Sequence, residues 1–84
     1  MNFKDEMLRE LGYEKEDEDE FFVEYHKNGK IYGKNCVFEL QIGEEEIIKA
    51  IYIDDSWACD KYLSADEVLA CAQLINNRRK ANER

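Results

Sequence analysis

Eighty-four residues, 44% apolar and 38% charged, suffice for one domain with a single modest core and are too few for two. The net charge is −8 and uneven: Arg78, Arg79, Lys80 and Arg84 against Glu83 give the 78–84 tail +3, which leaves 8 bases and 19 acids, or −11, in residues 1–77. Such a body repels a phosphate backbone or an anionic membrane and suits a basic protein partner; nucleic acid could touch only the tail.

Phe3, Met7, Leu8 and Leu11 form one apolar stripe of a short helix over residues 3–11, with Asn2 as its cap and Asp5 and Glu6 favourable in its first turn. Gly12 ends it, because glycine tolerates the left-handed conformation beyond a helix terminus. Residues 14–20, six acids in seven, repel one another and bury nothing, so a solvated linker or a helix extension is expected.

From Phe21 the period is two. Phe21, Val23 and Tyr25 share one strand face, and Phe22, Glu24 and His26 the other. Asn28-Gly29 is a strong hairpin signal, which predicts a type I′ turn there with Lys30, Ile31 and Tyr32 opening the return strand. Gly33-Lys34-Asn35 then implies a bulge or a second tight turn. Cys36, Phe38, Leu40 and Ile42 alternate with Val37, Glu39 and Gln41 in a half-buried strand.

Gly43-Glu44-Glu45 is a turn candidate, and Glu46 to Ile53 is rich enough in isoleucine to favour a strand over a short helix. Asp54 to Tyr62 is assigned to a loop around Trp57. Ser64 and Glu67 then form a capping box, Leu63 can staple to Val68, and Cys71, Ile75, Val68, Ala72 and Ala65 fall on one arc of a C-terminal helix. Asp66, Gln73 and Asn77 lie opposite. The sum is an α+β domain of order α-β-β-β-α: an antiparallel sheet of three or four strands, the C-terminal helix across one face and the N-terminal helix beside it.

Chemistry is sparse. Cys36, Cys59 and Cys71 with the lone His26 lack the closely spaced ligand pairs of structural zinc sites, and no EF-hand loop is present to gather calcium. A dyad of His26 with Cys36 or Cys59 would lack an oxyanion hole and an orienting third group. No catalytic residue, metal or cofactor is therefore expected, and the thiols are read as reduced and cytoplasmic. The first residues are too acidic for a signal peptide, and no apolar run approaches a membrane span. Trp57, among acids, is either an interface anchor or a cap on the core. The cations at the end of the helix suit its macrodipole.

Leu11-Gly12-Tyr13-Glu14-Lys15 into acids, Phe21-Phe22-Val23-Glu24-Tyr25 and Leu63-Ser64-Ala65-Asp66-Glu67-Val68-Leu69 together resemble small acidic phage- and prophage-encoded proteins of Gram-positive bacteria. The resemblance covers the ends better than the middle and departs at Asp54 to Tyr62. It implies an inhibitor that occupies a host protein's nucleic-acid-binding site, as anti-CRISPR and anti-restriction proteins do. The element order also looks like that of double-stranded RNA-binding domains, a function the −11 body opposes.

The expectation is thus a non-enzymatic interaction protein. Glu16, Asp17, Glu18, Asp19 and Glu20, with Asp54 and Asp55, would grip a basic host groove around Trp57. The alternative is a structural module that forms a homodimer through the outer sheet face, an apolar patch if Phe22 and Tyr32 both point away from the helices.

Overall fold

The computed structural model describes residues 4–60 and 62–82. Asn2 and Phe3, expected to open the first helix, and Glu83 and Arg84 of the tail lie outside the described residues. The order is α1 (Glu6–Glu10), β1 (Glu14–Glu18), β2 (Val23–Ile31), β3 (Lys34–Ile42), β4 (Ile47–Ile53), β5 (Ser56–Asp60) and α2 (Ala65–Asn82). The strands form one antiparallel sheet in chain order, so the α+β class holds with five strands where three or four were expected.

Both additional strands come from segments not read as strand: the acid run, expected as a linker or a helix extension, and the Asp54–Tyr62 loop. The acid run is β1, fully exposed yet paired with β2 through Glu14↔His26, Lys15↔Tyr25, Asp17↔Glu24 and Glu18↔Val23, with an irregularity at Glu16. Charge and a bulge on an edge strand discourage pairing with another chain, which gives the acids a reason to be there. The supposed Asp54–Tyr62 loop is a two-residue turn followed by β5: Ile53 pairs with Ser56, and Asp54 and Asp55 take φ of 50° and 65°. Aspartate tolerates that region better than most residues, so the Asp-Asp pair was the available signal.

Asn28-Gly29 is not a turn. Strand β2 runs straight through it, with Asn28 opposite Val37 and Gly29 opposite Cys36, and the chain reverses at Tyr32 (φ 51°) and Gly33 (φ 77°) between the paired Ile31 and Lys34. Gly29 serves packing instead. A Cβ there would lie 2.8 Å from the Phe38 ring, which covers the gap left by the missing side chain.

Helix α1 is shorter than expected but ends as expected. Gly12 takes φ 95°, Tyr13 N–H donates to Leu8 O and Gly12 N–H to Arg9 O, the two bonds of a Schellman motif. That turn delivers Tyr13 into the core beside Leu8. The capping box of α2 also holds, with Glu67 N–H donating to Ser64 Oγ at 3.1 Å and Ser64 N–H to Glu67 Oε1 at 2.9 Å.

The buried face of α2 is not the expected arc. Glu67, Ala70, Cys71, Leu74 and Arg78 are buried, whereas Val68, Leu69, Ala72 and Ala65 are exposed. The face is turned by roughly 100°, one residue's worth of helix. Gln73 and Asn77, assigned to solvent, dock on the first helix region: Gln73 Oε1 accepts from Met7 N–H and Asn77 Nδ2 donates to Lys4 O. The core between sheet and helices comprises Leu8, Tyr13, Val23, Tyr25, Leu40, Ile42, Ala70, Cys71 and Leu74.

Candidate functional site

Antiparallel order places the 19–22 and 43–46 turns at the same end of the sheet, because each follows a strand running the same way. The two turns line one groove of about 440 Å³, formed by Glu20, Phe21, Phe22, Gly43, Glu44, Glu45 and Glu46. A smaller depression of about 190 Å³ beside it is lined by Asp17, Glu18, Asp19, Phe22, Glu24 and Gln41. Acids separated by some twenty-five positions in the chain thereby share one end of the molecule, around a Phe21 that is 68% exposed.

Local bonds build this end. Asp19 Oδ1 accepts from the N–H groups of Phe21 and Phe22, both at 2.7 Å, and Asp19 N–H donates to Phe22 O. Those bonds from Phe22 and Phe21 hold the Asp19 carboxyl below its usual range. Gly43 N–H donates to Glu46 O across the second turn. The end of α2 ties both turns down: Arg78 Nη1 reaches Ile42 O and Nη2 reaches Asp19 O, while Arg79 Nη2 donates to Glu44 O at 2.7 Å. Arg78 and Arg79, read from sequence as part of a basic tail suited to the helix macrodipole, are thus also clamps on backbone carbonyls, and Arg78 is buried.

The expected site residues are divided. Glu16, Asp17, Glu18, Asp19 and Glu20 are gathered at or beside the acidic end, although Asp19 is committed to its turn and Glu18 pairs with Lys15 at 3.0 Å. Asp54 and Asp55 lie at the opposite end, and Trp57 on β5 is four strands, about 19 Å, from β1. Trp57 is 60% exposed and opposite Tyr52, so it does not cap the core. Sequence reasoning missed the second acid run, reading Glu44 and Glu45 only as a turn and Glu46 as the start of a strand, and missed Phe21, placed on a strand face with Val23 and Tyr25.

A second polar centre lies under the sheet. Glu67 accepts from Lys49 Nζ at 2.8 and 2.9 Å, from Ser64 N–H and from Tyr13 Oη. Burial opposes its ionisation, but the bonds from Lys49, Ser64 and Tyr13 and the Lys49 charge outweigh it and hold Glu67 down to about 2. Burial, then the carboxylate, pushes the Tyr13 hydroxyl up. The Lys27 ammonium lies 4.7 Å from the Tyr13 ring centre, and both Lys27 and Lys49 approach the Phe38 ring. Burial together with Glu67 raises the Cys71 thiol to about 12, which leaves it a packing residue rather than a nucleophile.

The lone histidine is on the other side. His26 is opposite Glu39 and three residues from Gly29, which is opposite Cys36, so His26 and Cys36 face opposite ways on the sheet. Cys36 and Cys71 are free and buried, and the Cys59 side chain lies outside the described residues. Neither a His26–Cys36 dyad nor a site joining His26 to Cys36 and Cys71 can form in this fold. The outer face is mixed, with Glu24, His26, Glu39 and Gln41 at its centre and Val37, Tyr52 and Trp57 toward β5. Phe22 and Tyr32 lie just outside β2, in the connections at its two ends, rather than among the strand positions of that face.

No described helix is long and apolar enough to cross a membrane. Comparison with protein-family models, curated proteins and solved structures gave no match.

Proposed function

We propose that this chain is a non-enzymatic protein-binding module whose acidic end engages a basic surface of its partner. The observation that carries this reading is the juxtaposition of the 19–22 and 43–46 turns, which sets Glu20, Glu44, Glu45 and Glu46 around Phe21 and Phe22. An exposed aromatic ringed by charge is the arrangement expected of an interface anchor with a polar rim. Carboxylates offer lysine and arginine the same charge-assisted hydrogen bonds that phosphates do, so the partner surface we favour is a nucleic-acid-binding groove. A small cytoplasmic inhibitor of the phage-encoded kind resembled by the sequence fits that target, and free buried cysteines suit a reducing compartment.

The test is capture of basic proteins at low salt by the native chain, by Phe21→Ala and by the triple variant Glu20→Gln, Glu44→Gln, Glu45→Gln. Capture should fall steeply between about 50 mM and about 500 mM salt, as screening shortens the reach of exposed charges. The triple variant should flatten that dependence, and Phe21→Ala should weaken binding without changing its slope. Binding indifferent to salt and to all four substitutions would sink the proposal.

One observation favours self-association as a second reading. Val37, Tyr52 and Trp57 are neighbours across β3, β4 and β5, and β5 is an edge of the sheet. A salt-insensitive dimer by analytical ultracentrifugation, abolished by Trp57→Lys, would replace the first reading with this one.

A further inference from the structure

We propose that Glu24, His26 and Glu39 form a binding site for a divalent transition-metal ion, Zn²⁺ above all, on the outer face of the sheet. One ligand atom from each of the three side chains lies within 4.8 Å of the other two. His26 Nε2 is 2.8 Å from Glu24 Oε2 and 3.6 Å from Glu39 Oε2. Donors about 2.1 Å from a tetrahedral zinc ion are separated by about 3.4 Å, so these two separations bracket what the ion needs. Imidazole nitrogen with two carboxylates suits zinc and its neighbours rather than calcium or magnesium, which prefer oxygen alone.

The backbone fixes the three ligands. Glu24 and His26 are two residues apart on β2 and therefore share a face, and Glu39 is the cross-strand partner of His26 on β3. Both strands are interior to the sheet, flanked by β1 and β4. Gln41, the cross-strand partner of Glu24, supplies orientation. Its amide donates to Glu39 Oε1 at 2.9 Å and approaches Glu24 Oε1 at 3.4 Å, so one oxygen of each carboxylate is held and the other is turned toward His26. Outer-shell bonds of this kind orient the ligands of metal sites.

The His26 side chain is 29% exposed and those of Glu24 and Glu39 are 30% and 15% exposed. Three protein ligands with an open solvent side leave a fourth position for water or for a donor from a partner. The site shares Glu24 and Gln41 with the smaller depression beside the acidic groove, but it uses none of Glu20, Glu44, Glu45 and Glu46, which line the groove itself.

Zinc titration of the intact chain, followed by calorimetry and by the ¹⁵N resonances of the imidazole, tests the proposal. His26 is the single histidine, so those resonances report one site. One equivalent should bind, the Nε2 resonance should move to the position of a coordinated nitrogen, and His26→Ala should lose that equivalent. Glu39→Gln should weaken binding at least about tenfold, and Gln41→Ala by roughly ten- to a hundredfold, as loss of an outer-shell partner does. An imidazole unmoved at millimolar zinc overturns the proposal. So does a His26→Ala protein, folded by circular dichroism, that still takes up the same equivalent.

Discussion

The carboxylates of this protein live in two settings that differ in almost everything but chemistry. Under the sheet, Glu67 and Asp5 are buried and fully engaged: Glu67 with Lys49, Tyr13 and Ser64, and Asp5 with Tyr25 Oη and Arg9 Nε. At the acidic end, Glu20, Glu44 and Glu45 are exposed and line one groove together. The first group converts charge into tertiary structure by joining helix to strand. The second works against compactness, because like charges held together repel, and so it calls for a purpose other than folding. Acid content alone therefore says nothing about function here; the distinction lies in which carboxylates the fold has already used.

The sharpest way to break this comparison is to remove a buried member. Glu67→Ala strips Lys49, itself only 10% exposed at its side chain, of its partner and removes half of the capping box. A loss of about 3–5 kcal/mol is expected, the range for a buried ion broken from one side, and urea denaturation would measure it. A loss below about 1 kcal/mol would place Glu67 energetically with the exposed acids.

Acid should act through the same group. The folded protein holds Glu67 at about 2 against 4.5 for an ordinary glutamate, so its contribution is complete above pH 4.5 and is lost as pH falls toward 2. Below 4.5 the unfolded chain takes up a proton that the folded chain refuses, and stability drops. Denaturation midpoints measured across that window should fall in the native chain and fall less steeply in Glu67→Gln.

Asp5 is the milder case. Burial raises its pKa, but hydrogen bonds from Tyr25 and Arg9 outweigh that and hold the carboxyl below its usual range. Asp5→Asn keeps one acceptor oxygen and loses the charge, so about 1–2 kcal/mol of destabilisation is expected from the same denaturation experiment.

What the sequence disclosed follows the range of the interactions. Ser64 and Glu67 are three residues apart, and their capping box is a local event, legible without the fold; so was the helix stop at Gly12. That Glu67 also receives Lys49 and Tyr13 depends on partners 18 and 54 positions away, which no window of the sequence contains. The helix face was misjudged for that reason: Glu67 was read only as half of the capping box and Arg78 only as a cation at the helix end, while Val68 was placed on the buried arc. Asn28-Gly29 failed differently. Its preference for a turn is real but small, and a register that pairs nine residues of β2 with β3 and lays Phe38 over Gly29 outweighs it. Of the candidate site, the run from Glu16 to Glu20 was legible as charge. Its union with Glu44, Glu45 and Glu46 was not, because it is made by strand order alone.

The exposed setting yields the smallest effect, and one of opposite sign. Replacing Glu20, Glu44 and Glu45 by glutamine keeps side-chain size and removes three mutually repelling charges. The clamps of Arg78 and Arg79 survive, because they grip the carbonyls of Ile42, Asp19 and Glu44 rather than any of these side chains. The variant should therefore melt about 1–3 °C above the native chain at low ionic strength. The gain should shrink as salt is added and the Debye length falls below the spacing of the charges. A drop in melting temperature would mean that these acids hold the end together, and they would then belong with Glu67 and Asp5. A salt-sensitive rise would mark a local instability that the fold carries at the surface offered to a basic partner.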